Sequence, residues 1–181
     1  MDTIIKQIIG CDYDSTQISF VVINLHNKIK NYFEIDSKAA TSEERFIELT
    51  NKLYHIIDAE DLITDAKFIV EGNIYSVNPR ATLGLAQVKG MILATCIYHG
   101  IPFQVIPAKT WKMKVLGNGN SKKEDIAKWV IKKFPELKGK SQHIYDSLCI
   151  ALAGNKRGDI EKSKKNTNNI RKNKTRVGKS S

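Results

Sequence analysis

Cysteine, proline and acidic side chains are all in short supply in this 181-residue chain. The three cysteines, Cys11, Cys96 and Cys149, are odd in number, far apart and free of C-x-x-C spacing. That pattern excludes a disulfide framework and a thiolate zinc site, and the three read as small core residues in a reducing compartment. No apolar stretch reaches the roughly 18 residues a membrane-crossing helix needs before a Lys, Gln, Thr or His interrupts it. The opening MDTIIKQIIG has an acid second and no small-residue cleavage site. Neither a membrane span nor a secretory leader is expected, and the compartment expected is the cytoplasm, or the host cytoplasm for a viral source.

What is abundant is positive charge. Lys and Arg number 29 against 19 Asp and Glu, a net +10. Such a balance favours a polyanionic partner, nucleic acid first and an anionic membrane second, because summed positive potential attracts phosphate before any specific contact forms. The excess is concentrated at the end. Residues 155–181 carry ten Lys or Arg against Asp159 and Glu161, which leaves 1–154 close to neutral. The stretch KSKKNTNNIRKNKTRVGKSS holds two isolated aliphatics and no aromatic, too little apolar area to offset the entropy of ordering it. A disordered basic tail over 155–181 is expected, either a solvated terminus or a non-specific grip on nucleic-acid backbone. Residues 1–154 have room for one sizeable core.

Three β-branched, aromatic-rich segments open that body: TIIKQIIGCD, QISFVVINLH and KIKNYFEID, separated by the turn-prone DYDST and HNK. They predict an antiparallel meander. SEERFIELTNKLYHIIDAE repeats apolar residues at Phe46, Leu49, Leu53 and Ile56 or Ile57 behind Ser42, a candidate N-cap, and predicts an amphipathic helix. KFIVEG and PFQVIP read as buried strands on either side of a helix from Pro79 to Gly100. SKKEDIAKWVIKKF and SQHIYDSLCIALAG predict two more helices, each with a Ser in the cap position. The order βββαβαβαα implies an α/β mixed sheet of the RNase H-like type, a three-strand antiparallel meander extended by two parallel strands and flanked by helices.

Four positions carry candidate chemistry. Asp12 ends one apolar strand and Glu71 another, so both fall at strand C-termini, where open α/β sheets bind ligands. His143 and Asp146 are three apart and share one face of the last helix. If that helix crosses the same edge, three carboxylates and an imidazole converge, a cluster too repulsive for a partly buried site without divalent cations. An oxygen-rich set suits Mg²⁺ or Mn²⁺, and paired ions about 3.5 to 4 Å apart activate water and stabilise the leaving oxygen of a phosphodiester. Taken singly, the four also fit a turn acid, a strand-end charge, a core histidine and a solvated helix acid.

The segments IIGCDYDSTQISFVVI, FIVEG followed by SVNPRATLGLAQVKG, IPFQVIPAKTWKMKVLGNGNSKKEDI and SQHIYDSLCIALA resemble RuvC-type Holliday-junction resolvases over residues 4–154. VLGNGNSKKED is the most specific of them. The resemblance implies a homodimeric, Mg²⁺-dependent endonuclease that nicks two symmetric strands of a four-way DNA junction and leaves 5′-phosphate and 3′-hydroxyl ends. It implies Asp12 bridging two metals, Glu71 and Asp146 holding one each, and His143 at a fourth, usually acidic position. It leaves room for branch-migration proteins as further partners.

Arg80, Lys109, Lys112, Lys114, Asn118, Lys122 and Lys123 are candidate DNA contacts, the lysines from 109 to 114 surrounding Trp111, which suits base stacking or the core. The helix from Pro79 bears two apolar stripes, and the second, with Leu83, Ala86, Met91, Ala94 and Ile97 or Tyr98, calls for a two-fold partner or a covering loop. Two positions depart from the family. Asp14 replaces a common glycine, as a fifth carboxylate or an Asx-turn residue. Ile74 stands where many members place a wedging aromatic, with Tyr75 beside it as a candidate substitute. An actin-like ATPase is disfavoured by Asp14 and by the single domain. The live alternatives are a non-catalytic branched-DNA-binding protein and an RNase H-like nuclease acting on RNA–DNA hybrids.

Overall fold

The computed structural model describes residues 5–59, 65–72 and 78–155. Tyr75, Ile74 and the expected tail beyond Asn155 lie outside the described residues. Five strands, β1 (Gln7–Tyr13), β2 (Gln17–Asn24), β3 (Ile29–Asp36), β4 (Ala66–Glu71) and β5 (Phe103–Ile106), form one sheet in the order β3-β2-β1-β4-β5. The meander β1–β2–β3 is antiparallel, whereas β1–β4 and β4–β5 are parallel. This is the mixed sheet expected from the strand order.

Helices α1 (Ser42–Ala59) and α2 (Pro79–Tyr98) cover one face; α3 (Ala108–Leu116), α4 (Lys123–Lys133) and α5 (Gln142–Gly154) cover the other. Strand alternation splits the core between them. Ile9, Cys11, Phe20, Phe68 and Val70 meet Leu49, Leu53, Val88 and Ile92, while Ile8, Val21, Ile69 and Ile106 meet Trp111, Val130, Leu148 and Cys149. All three cysteines are buried and free.

Three details depart from the sequence reading. Thr41, not Ser42, caps α1: its Oγ1 accepts from the Glu44 N–H at 3.2 Å, and the Glu44 carboxylate accepts from the Thr41 N–H at 3.2 Å. Lys122, not Ser121, is the residue before α4; Ser121 is buried and its hydroxyl donates to the Asn118 carbonyl at 2.7 Å. The third is a whole helix, α3, bounded by Pro107 and by Gly117 at φ 81°. Ser141 does cap α5, accepting from the Ile144 N–H at 3.2 Å.

The 20 residues of α2 have the length and mean hydropathy of a membrane span. Its inner side, however, packs Val88, Met91, Ile92, Thr95 and Cys96 into the sheet. Met91 therefore belongs to the buried side rather than to the second stripe, and the exposed positions from Leu83 on are Leu83, Ala86, Gln87, Gly90, Ala94, Ile97 and Tyr98.

Glycine sets how closely α5 approaches the sheet. A Cβ at Gly10 would lie 2.0 Å from the Ser147 carbonyl oxygen and 2.4 Å from the Ala151 nitrogen. Only a residue without a side chain lets α5 lie directly on the backbone of β1. The Asp12 N–H then donates to Ser147 Oγ at 3.1 Å, and that hydroxyl donates on to the Ser19 carbonyl at 2.9 Å.

Candidate active site

The parallel pairing of β1 with β4 brings Asp12 and Glu71 to the same edge of the sheet. Asp12 is buried at 8% exposure, one residue before β1 ends, and Glu71 is the last residue of β4. The close seat of α5 carries His143 and Asp146 to that edge. His143 Nδ1 lies 2.8 Å from Asp12 Oδ2, and Nε2 lies 3.8 Å from Asp14 Oδ2. Asp14 is an Asx-turn residue as well, since its Oδ1 accepts from the backbone N–H of Thr16 at 2.6 Å and its hydroxyl at 2.8 Å.

Glu71 and Asp146 each have a neutral donor. The Trp111 indole N–H donates to Glu71 Oε2 at 2.9 Å, and the Gln142 amide donates to Asp146 Oδ1 at 2.7 Å, one helical turn away. Tyr13 on β1 adds a hydroxyl bond to the Glu71 carbonyl at 3.1 Å. Neither Trp111 nor Gln142 was singled out as an active-site partner from sequence. The spacing of Gln142 and Asp146 on one helix face was the available signal for the second; the first needs α3, which sequence patterning did not reveal. Trp111 is 1% exposed, so of its two readings the core one holds and base stacking does not.

Burial, with the Asp12 charge next, pushes the Glu71 carboxyl up to about 7; the nearby Asp146 charge adds to this, while the Trp111 bond and Lys112 oppose it. Asp146 is pushed up to about 6 by burial and then by Asp12, against the Gln142 bond, Lys112 and His143. His143 is raised above its ordinary value, chiefly by its hydrogen bond to Asp12, although burial pulls the other way. The acids thus destabilise one another as anions across a partly dry edge.

Lys112, half-buried, is the basic residue that faces this cluster; its ammonium also lies 5.3 Å from the Trp111 ring centre. Lys109, Asn118, Lys122 and Lys123 are exposed around α3 and the start of α4, and Arg80 is exposed in the first turn of α2. Lys114 is exposed too, but its ammonium donates to the Ala153 carbonyl at 3.3 Å near the end of α5. Asn118 shapes its own loop, its side-chain oxygen accepting from the Asn120 N–H at 3.0 Å.

The donor chemistry fits a hard divalent cation: three carboxylates, an imidazole, and too few cations to neutralise them. The side chains currently satisfy one another instead, His143 on Asp12 and Trp111 on Glu71. Among the described residues no three His, Cys, Asp or Glu side chains are drawn into a closed cation cage. A cation drawn in among these acids would relieve their repulsion.

Comparison with known proteins identifies the family and the fold. The chain is 27% identical to the crossover junction endodeoxyribonuclease RuvC of Chromobacterium violaceum over 152 residues, covering 81% of this chain and 84% of that one. It is 23% identical to the Christiangramia forsetii protein of the same name over 122 residues, covering 67% of this chain and 64% of that one. Its fold matches that of Thermus thermophilus RuvC in complex with a Holliday junction substrate, with a TM-score of 0.68 and 19% identity over 82% of this chain and 92% of that one. The family model described as crossover junction endodeoxyribonuclease RuvC matches residues 8–154, essentially all of the expected catalytic body, and the chain belongs to that family.

Proposed function

We propose that this RuvC-family endodeoxyribonuclease is Mg²⁺-dependent and resolves four-way DNA junctions by paired symmetric nicks that leave 5′-phosphate and 3′-hydroxyl ends. The observation that carries the reading is the convergence of Asp12, Glu71, Asp146 and His143 at one edge of the sheet, where burial first and the Asp12 charge second push the Glu71 and Asp146 carboxyls up to about 7 and about 6. Asp12, Glu71 and Asp146 would hold the cations, two per site, with His143 at their margin. Bound there, divalent ions supply an activated water and stabilise the leaving oxygen of the phosphodiester. His143, anchored on Asp12, keeps a ring N–H or a lone pair at the cluster, and Lys112 offers a positive charge to scissile phosphate. The exposed Lys109, Lys122 and Lys123 suit duplex backbone nearby, and the basic 155–181 segment suits a salt-sensitive, sequence-independent grip on the arms.

A homodimer belongs to the same reading. The outer side of α2 exposes Leu83, Ile97 and Tyr98 around the small Ala86, Gly90 and Ala94, and a Cβ at Gly90 would meet nothing within 4 Å. A largely apolar stripe of this kind, with Gln87 as its polar member, suits an isologous contact, and two-fold symmetry would give one site per scissile strand.

Glu71→Gln or Asp146→Asn should bind a labelled four-way junction while losing Mg²⁺-dependent nicking by at least about 100-fold. Full nicking in both variants would overturn the assigned site. Junction binding without nicking by the wild type would favour the non-catalytic alternative, and preferential cutting of an RNA–DNA hybrid would favour the other.

A further inference from the structure

Glu71 is held at both its backbone and its carboxylate by residues that do not themselves bear charge. Its carbonyl accepts from the Tyr13 hydroxyl on β1, and its carboxylate Oε2 accepts from the Trp111 indole N–H. The next residue, Gly72, donates its N–H to the Ile106 carbonyl at 2.7 Å, which ties the end of β4 to the end of β5. α3 begins two residues after Ile106, so that tie also fixes where Trp111 sits. The fit is close: a Cβ on Gly72 would lie 2.4 Å from Val105 Cγ1 and 3.3 Å from the Ile106 carbonyl carbon. Trp111 itself is fully buried in the core cluster that also holds Ile69, Ile106 and Leu148, a setting in which an indole N–H needs a partner.

We infer that Trp111 is a positioning residue for the metal-dependent reaction, its buried indole N–H clamping Glu71 Oε2 so that Oε1 is the oxygen left to a divalent cation. This rests on the proposed metal-dependent reading. The clamp uses a neutral donor, so it orients the carboxylate without cancelling the charge a cation needs, which a Lys or Arg in the same place would do. Outer partners of this kind fix the geometry of a ligating carboxylate, and removing one commonly weakens metal affinity by about 10- to 100-fold. Orientation by α3 also places Lys112, the following residue, beside both Glu71 and Asp146. One short helix thereby sets two features of the site.

The test replaces the Trp111 indole with benzothiophene, through β-(3-benzothienyl)alanine, which keeps the bicyclic shape and deletes the N–H. Trp111→Phe serves as the genetically encoded companion. Mn²⁺ affinity of the full-length chain without DNA is measured by calorimetry or electron paramagnetic resonance, with urea unfolding as the check on folding. In parallel, the indole ¹H–¹⁵N resonance of Trp111 is followed in Trp129→Phe, which leaves a single indole. The benzothienyl variant should unfold like the wild type yet bind Mn²⁺ about tenfold or more weakly, and the Trp111 resonance should move on Mg²⁺ addition. Affinity within twofold of the wild type, or a resonance that stays in place through Mg²⁺ saturation, overturns the clamp and leaves the metal-dependent reading standing. A wild type that binds no Mn²⁺ overturns both.

Discussion

Removing the acid at position 71 should make the metal-free protein more stable, not less. A carboxyl that titrates near 4.5 when unfolded and is pushed up to about 7 in the folded chain is a cost to folding wherever it must ionise. The folded state binds more protons than the unfolded state between those values, so stability contributed by the protonated group is present below about 4.5 and is lost as pH rises to about 7. At pH 8 the full shift corresponds to roughly 3 kcal/mol. Water reaching the partly exposed carboxyl reduces this to about 2 kcal/mol. Glu71→Gln removes the charge and keeps an oxygen for the Trp111 indole, so packing and the clamp survive. Urea unfolding in chelator should show the variant more stable than wild type by about 2 kcal/mol at pH 8, and that advantage should shrink to well under 1 kcal/mol at pH 5. Saturating Mg²⁺ at about 100 times its Kd should stabilise the wild type by roughly 2.7 kcal/mol and close the gap. A variant less stable than wild type at pH 8, or an advantage that does not change with pH, would refute the reasoning.

Gly10→Ala should destabilise the fold by about 3 kcal/mol or more, seen as a fall in thermal midpoint, because its methyl would press within 2.0 Å of the Ser147 carbonyl oxygen and force α5 off the sheet. Asp12→Asn should lower the His143 midpoint followed by NMR titration, since the hydrogen bond to Asp12 is the largest influence raising it. An unchanged midpoint would mean the imidazole is held by something else. Deleting 155–181 should weaken affinity for junction DNA and flatten its dependence on salt, measured by fluorescence anisotropy over a salt series; an unchanged slope would show that this segment makes no phosphate contacts.

Much of this was readable in advance, for reasons specific to each residue. Asp12 and Glu71 stood out because each ends an apolar strand, and parallel pairing then has to bring them to one edge. His143 and Asp146 followed from helical spacing. α3 was not legible: AKTWKMKVL has only nine residues, with lysines at 109, 112 and 114 breaking any apolar run, and its helix is decided by the Pro107 and Gly117 boundaries and by burial of Trp111 rather than by any periodic stripe. The Trp111–Glu71 bond was hidden for the same reason, because it joins residues 40 apart through an element that patterning did not reveal. The cap positions, Thr41 and Lys122, each lie one residue from the serine that sequence favours, since neighbouring polar residues compete for the cap and only the hydrogen bonds decide.

Incubation of the wild-type chain with end-labelled four-way junction, flap, linear duplex and RNA–DNA hybrid, in Mg²⁺ or in chelator, tests the central claim most directly. The account predicts nicks at symmetric positions in two strands of the junction, ligatable 5′-phosphate ends, and no cutting in chelator. Equal cutting of junction and linear duplex, or nicking that persists without divalent metal, would contradict it.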